Sequence, residues 1–211
     1  MKDLYIVGAG GFGRELLGWL RQHPDCWRLW QPAGFVDDNP AALHGFGVDL
    51  PVVGAPDAAP VDKNSLFVCA LGRPEVKRRI IGTMRGRGAA FVTFVHPSAV
   101  VGERVRIGEG SVLCPGVILT CDITVGDFVL FNCGASAGHD TVVGAYTSVS
   151  GHVDLTSRTR LGADVFVGSH AVIIPGVEVE QGAVIGAGAI VVSPVKPGLT
   201  VFGNPARPFA P

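Results

Sequence analysis

His139 and Asp140 are consecutive, and together they can move a proton. Imidazole is the side chain whose ordinary titration falls near neutral pH, so it suits general-base work. A carboxylate beside it can orient the ring and steady the imidazolium that forms. His152 and His170 lie eighteen residues apart. That spacing permits a metal reading, with zinc held where chains meet, although two ligands on one chain do not make a site. By spacing alone, each of these histidines also reads as an ordinary surface residue. No Cys–His pair marks a covalent nucleophile.

A second group of residues fits phosphate chemistry. Gly8, Gly10 and Gly13 match G-x-G-x-x-G between a strand and a helix, and Asp37 and Asp38 follow the next apolar strand. The pattern imitates a dinucleotide fingerprint. A dinucleotide fold needs two mononucleotide halves, however, and only 97 residues precede the repeat described below. A single nucleotide with its diphosphate is the better fit, because loop N–H groups and a helix start can hold a phosphate. On that reading Gly10, Gly11 and Phe12 approach the phosphates and sugar. Asp37 and Asp38 accept hydrogen bonds from base or ribose, and Gly72, after a neighbouring strand, lets backbone come close. The competing reading is a glycine-rich turn that only caps a helix.

The elements that must position these residues are set by one periodicity. From Ser98 to Ser193 the chain divides into sixteen sixes without an insertion, beginning SAVVGE, RVRIGE, GSVLCP. The fourth position is apolar in all sixteen, from Val101 and Ile107 to Ile185 and Val191. At 47% hydrophobic composition chance would do this only a few times in ~10⁵, allowing for six phases. The second position holds only Ala, Val, Ile, Ser or Thr, and the fifth is Gly in eight of the sixteen. A period of six is neither helical nor that of an ordinary strand. It predicts a parallel β-helix with three short strands per eighteen-residue coil, the fourth position facing the axis and the second packing near a corner. Glycine at the fifth position is expected to supply positive φ at a tight corner. The repeat predicts about five coils, or roughly 25 Å of prism.

Before the repeat, residues 1–97 read as a small α/β unit. Strands are expected at Leu4–Val7, Phe35–Val36, 51–54, Leu66–Leu71 and Phe91–Val95, with a helix after the glycine loop and another from Pro74. The second helix carries Val76, Ile80, Ile81 and Met84 on its apolar side, with Lys77, Arg78, Arg79 and Arg85 elsewhere. His96-Pro97 marks the junction. The prism is placed at 98–196, and 197–211 is a Pro/Gly-rich tail expected to fold back as turns and loop.

Composition narrows the partners. Net charge is −1, which favours neither nucleic acid nor an anionic membrane. No apolar run reaches the length of a membrane span, and the start enters a strand without a signal-peptide cleavage region. The five cysteines form no CxxC pair and read as reduced thiols, pointing to a cytoplasmic protein.

The hexapeptide run, together with VGAGGFGREL, FVDDN, ALGRPEVKRRI, GHD at 138–140 and the late FGNPAR, resembles the nucleotide-sugar acetyltransferases. These include the N-acetyltransferases of the bacillosamine and perosamine type and the sialic-acid O-acetyltransferases. The resemblance spans nearly the whole chain. It implies a left-handed β-helix, a homotrimer, and an active site between neighbouring subunits. It further implies acetyl-CoA as co-substrate without a metal, and a nucleotide-linked 4-amino-4,6-dideoxy sugar held by residues 1–97. The family's catalytic base falls on His139 and its supporting acid on Asp140. Positions lining acetyl-CoA align with Ser148, Ser169 and Ala187, and the N–H of Ser157, one coil past His139, can donate to an oxyanion. Some relatives carry His where this chain has Phe12 and Ser148, which opens the identity of the sugar and one cofactor contact. Three other functions stay open: O-acetylation of a sugar hydroxyl, a zinc-dependent carbonic anhydrase-like prism, and a non-catalytic nucleotide-binding module.

Overall fold

The structure is a computed structural model that describes residues 1–209. It divides into two compact units, Met1–Val92 and Thr93–Pro211.

The first unit is a four-stranded, wholly parallel sheet with two helices. Strands β1 (Lys2–Val7), β2 (Trp30–Val36), β3 (Val52–Gly54) and β4 (Ser65–Cys69) lie in the order β3-β2-β1-β4. The chain therefore builds outward from β1 in one direction and then crosses to its other side. That reversal opens a crevice at the carboxyl ends of β1 and β4, the usual place for a ligand in such sheets. Helix α1 (Gly11–Gln22) buries Leu16, Leu17 and Leu20. It can start so close to β1 because Gly13 has no side chain: a Cβ there would lie 2.0 Å from the Gly8 carbonyl oxygen. Gly8 itself takes φ of 104°, which glycine adopts without strain.

Helix α2 (Pro74–Gly86) departs from its expected register. Its buried stripe is Lys77, Ile80, Ile81 and Met84, and Val76 is only half-buried. Lys77 is in phase with the three apolar residues at helical spacing, whereas Val76 is one step off. Burial pushes the nearby Cys69 thiol up, and the Lys77 charge opposes that shift.

In the second unit, two-residue strands recur every six residues, from β6 (Val100–Val101) to β21 (Ile190–Val191). They stack into three parallel sheets, one per face of a prism, with pairs such as Thr124↔Val142 and Val142↔Arg160 in an eighteen-residue register. From Leu113 to Val191 every fourth-position side chain is buried, and so is every second-position one from Ser111 to Ala189. The second-position hydroxyls are satisfied between coils: Ser111 donates to the Gly126 carbonyl and accepts from the Val129 N–H, and Thr147 repeats this with Gly162 and Val165.

The corners correct the expected role of glycine. Positive φ falls at the first position of every six from Arg104 on, and there glycine shares the task with Arg104, Asp122, Phe128, Asp140, Tyr146, His152, Arg158, Asp164 and His170, all between 55° and 62°. The left-handed conformation is costly for such residues. From Asp122 on it aims each N–H at the carbonyl of the coil before, as in Asp140→Cys121 (3.3 Å) and Arg158→His139 (2.8 Å). Glycine at the fifth position answers a different demand. A Cβ on Gly126, Gly138, Gly162 or Gly168 would sit 2.6–2.7 Å from a backbone nitrogen of the next coil.

The stack also extends beyond the sixteen sixes. Strand β5 (Phe94–Val95) pairs in parallel with Val112–Leu113, so the prism takes in the residues assigned above to the α/β sheet, while Phe91 bridges to Phe67 in the first unit. At the far end, Val195 bridges to Val179, and β22 (Thr200–Phe202) pairs with Val184–Ile185 at an offset of sixteen. The tail is not only turns: β23 (Arg207–Pro208) returns antiparallel to β22.

Candidate active site

In the first unit the crevice between β1 and β4 is a cleft of about 310 Å³. Gly10, Gly11, Phe12, Asp37 and Gly72 all line it, so five of the six residues assigned to nucleotide binding come together. Gly10 caps α1, and a Cβ on Gly10 or Gly72 would meet nothing within 4 Å, leaving the loop open to a ligand. Phe12 borders the cleft while its ring packs edge-on against Trp19 at 6.3 Å.

The two aspartates, alike in sequence, differ in place. Asp37 is committed to the backbone: Oδ2 accepts from the Ala9 N–H at 2.8 Å, and Oδ1 accepts from the Asn39 N–H at 2.9 Å. It shapes the glycine loop and its own turn. Asp38 is exposed and lines an adjoining pocket of about 210 Å³ with Pro56, Arg79 and Ile80.

In the second unit His139 and Asp140 stand at the corner after Ser136–Ala137. His139 Nδ1 is 2.7 Å from Asp140 Oδ2, with both side chains about half exposed. With the carboxylate ionised, Nδ1–H donates to it and the lone pair of Nε2 is left free to accept a proton. Asp140 can double back onto its neighbour because its φ is 62°. One coil on, at the same corner, stand Ser157 and Arg158. The Ser157 N–H has no acceptor among the described residues.

One coil before stand Cys121 and Asp122, a pair that the histidine spacing did not draw attention to. Arg104 donates to both oxygens of Asp122, at 2.6 and 2.9 Å, and also to Glu103 at 2.8 Å. The Arg104 guanidinium holds the Asp122 carboxyl below its usual range. The Asp122 carboxylate, accepting from the Cys121 thiol, pushes that thiol up. The eighteen-residue spacing that joins Arg104 to Asp122 was readable from the repeat.

The remaining assigned positions divide between two faces. Ser169 and Ala187 stack at the next corner back, across the face of Ser136 and Asp154 from His139, and both are exposed. Their N–H groups, like that of Ser157, have no acceptor among the described residues. Ser148 lies on the preceding face, in a strand paired with Phe166–Val167, and is 2% exposed. His152 and His170 stack ring on ring as their spacing implied, 5.0 Å apart. Among the described residues no group of three His, Cys, Asp or Glu side chains could hold a metal ion.

Residues 3–84 match the family profile described as the PglD N-terminal domain, and residues 158–193 match the bacterial transferase hexapeptide (six repeats). The chain is 30% identical over 218 residues to GDP-perosamine N-acetyltransferase of Escherichia coli O157:H7, covering 97% of this chain and 96% of that one. The chain belongs to the nucleotide-sugar acetyltransferase family. Within it, PerB from Caulobacter crescentus, solved in complex with CoA and GDP-perosamine, superposes with a TM-score of 0.88 at 30% identity over 100% of this chain and 98% of its own. The acetyltransferase domain of PglB from Neisseria gonorrhoeae gives 0.86 at 26% identity over 99% and 100%. The prism is accordingly a left-handed β-helix and the protein an acyltransferase, of a family whose co-substrate is acetyl-CoA. No helix among the described residues is long and apolar enough to cross a membrane.

Proposed function

We propose that the protein transfers the acetyl group of acetyl-CoA to the amine of a nucleotide-linked 4-amino-4,6-dideoxy sugar, with His139 as general base. The observation that carries this reading is the 2.7 Å Nδ1–Oδ2 pairing of His139 with Asp140, which leaves Nε2 free at an exposed corner. The neutral amine attacks the thioester carbonyl carbon, and Nε2 takes the amine proton as the new C–N bond forms. Asp140 steadies the imidazolium. The tetrahedral oxyanion accepts from the Ser157 N–H, a fixed donor one coil away. Collapse breaks the C–S bond, the proton passes to the departing thiolate, and amide and free CoA leave. Holding the two substrates in reacting geometry supplies much of the rate.

Acetyl-CoA on this reading follows the corner of Ser169 and Ala187, whose outward N–H groups suit its pantetheine carbonyls. Ser148 is buried on another face and stands apart from that corner. The nucleotide diphosphate takes the cleft at Gly10, Gly11, Phe12 and Gly72. We further infer a homotrimer with its active sites at the seams. The face between the two corners supports this, because its outward Val100 and Ile118 are 57% and 45% exposed. The reaction belongs in the cytoplasm, where acetyl-CoA and nucleotide sugars are made.

The test is thiol release from acetyl-CoA against a panel of UDP-, dTDP- and GDP-linked 4-amino-4,6-dideoxy sugars, each beside its 4-hydroxy counterpart. Turnover confined to amino sugars is expected. Turnover of the hydroxy sugars alone would make the enzyme an O-acetyltransferase, and light scattering in solution checks the trimer.

A further inference from the structure

The pocket beside the glycine cleft holds two exposed carboxylates, Asp38 and Asp57, and a guanidinium that pairs with neither; Asp38, unlike Asp57, also lines the space that leads to the cleft. Asp38 and Arg79 both line its 210 Å³, both are exposed, and no ion pair joins them. Neither side chain has another partner among the described residues. The floor is apolar, made by buried Pro56 and Ile80. A third pocket, shared by Gly8, Asp37 and Val76 with the cleft and by Asp38, Arg79 and Ile80 with this pocket, makes the two continuous. A diphosphate at the glycine loop would thus have its base here.

The two side chains present a hydrogen-bonding code. The carboxylate of Asp38 offers two adjacent acceptors, and the guanidinium of Arg79 offers a fork of donors. Guanine is the common base with two adjacent donors on one edge, N1–H and the N2 amino group, and it carries O6 and N7 as acceptors next to them. Arginine pairs with O6 and N7 in the geometry familiar from DNA recognition. Uracil and thymine place a carbonyl on each side of N3–H, so one oxygen of Asp38 would face a lone pair. Asp37 is held in place by a backbone N–H on each oxygen, which fixes its carboxylate at the glycine loop.

We propose that Asp38 and Arg79 read the base of the nucleotide, and that the base is guanine. The inference rests on the nucleotide-sugar reading above and narrows it to GDP-linked substrates.

The experiment is calorimetric binding of GDP, inosine diphosphate and UDP to the intact protein, without turnover. GDP is expected to bind about 5- to 150-fold more tightly than UDP, the discrimination of a good bidentate contact. Inosine diphosphate lacks only the N2 amino group and should fall between them. In Asp38→Asn the advantage of GDP over inosine diphosphate should collapse, and in Arg79→Met both purine diphosphates should weaken together, narrowing their lead over UDP while GDP keeps its advantage over inosine diphosphate. UDP binding as tightly as GDP, or an unchanged ranking in both variants, overturns the base assignment and leaves acetyl transfer standing. Failure of every diphosphate to bind sinks the nucleotide site itself, and the base assignment with it.

Discussion

Gly138 lies directly under the backbone of Ser157: a Cβ added to Gly138 would be 2.7 Å from the Ser157 nitrogen and 3.0 Å from its Oγ. The residue before the base is thus bare because the N–H assigned to the oxyanion passes over it. Gly138→Ala should push that coil away and lower stability by about 1–3 kcal/mol, the usual result of overpacking. Thermal melting reads the stability, and kcat should fall more than KM for acetyl-CoA rises. An unchanged kcat in a folded Gly138→Ala variant would remove Ser157 from the chemistry.

His139→Ala should cost about 10²–10⁴ in kcat/KM, the range for losing a general base. Asp140→Asn is the gentler change, because Asn tolerates the left-handed backbone that Asp140 adopts. It should lower kcat with little effect on either KM, since the ring loses its carboxylate partner while the corner keeps its shape. Steady-state kinetics on both variants, set against their melting curves, separates loss of chemistry from loss of fold.

Arg104 and Asp122 predict a pH dependence of stability. The folded carboxyl is held below its ordinary value, first by the hydrogen bond from Arg104. Such a group stabilises the fold at pH values above the unfolded carboxyl range, and loses that contribution as pH falls through its depressed folded value. Wild type should therefore melt above Arg104→Met near neutrality, and the gap should close as pH falls below the range of an ordinary Asp, about 4. Melting curves in a pH series test this; a gap constant down to strong acid would show that Arg104 acts only through packing. Both groups are exposed, so high salt should narrow the gap as well.

Cys121 shares the corner with His139, and its thiol is pushed up, chiefly by the Asp122 carboxylate. The thiolate is the reactive form. Iodoacetamide should accordingly label Cys121 slowly at pH 7.5 and several-fold faster in Asp122→Asn, read by mass spectrometry of the tryptic peptide. Equal rates in the two proteins would contradict the coupling.

The prism was legible because one rule, an apolar residue every six, is repeated without a gap, and eighteen-residue arithmetic then stacked His152 on His170. What glycine does at the fifth position was not legible. Sequence shows that Gly138 lacks a side chain, but not whether backbone angle or a passing chain requires it. The left-handed corners were hidden because residues such as Phe128 and Arg158 seldom adopt them, and the hydrogen bond to the coil before that favours them is a contact between distant residues. Asp37 and Asp38 are identical on paper, and only the Ala9 and Asn39 N–H groups tell them apart. Lys77 reads as a surface lysine until the fold places it in line with Ile80, Ile81 and Met84. Phe94–Val95 joined the wrong unit because an apolar pair before Pro97 suits a sheet edge as well as a first rung.

The last coil, two residues short, covers the upper rim of the column: Val195 rests on Val179, Thr200–Phe202 on Val184–Ile185, and Ala206 donates to the Ile190 carbonyl. Strand β23 then runs opposite to every other strand of its face. A uniform parallel ladder would offer its end to the start of another molecule, the arrangement from which fibres grow. The reversal at Arg207–Pro208 blunts that end, so the molecule carries its own terminator, and lopping off residues 203–209 should convert a dispersed protein into one that assembles end to end.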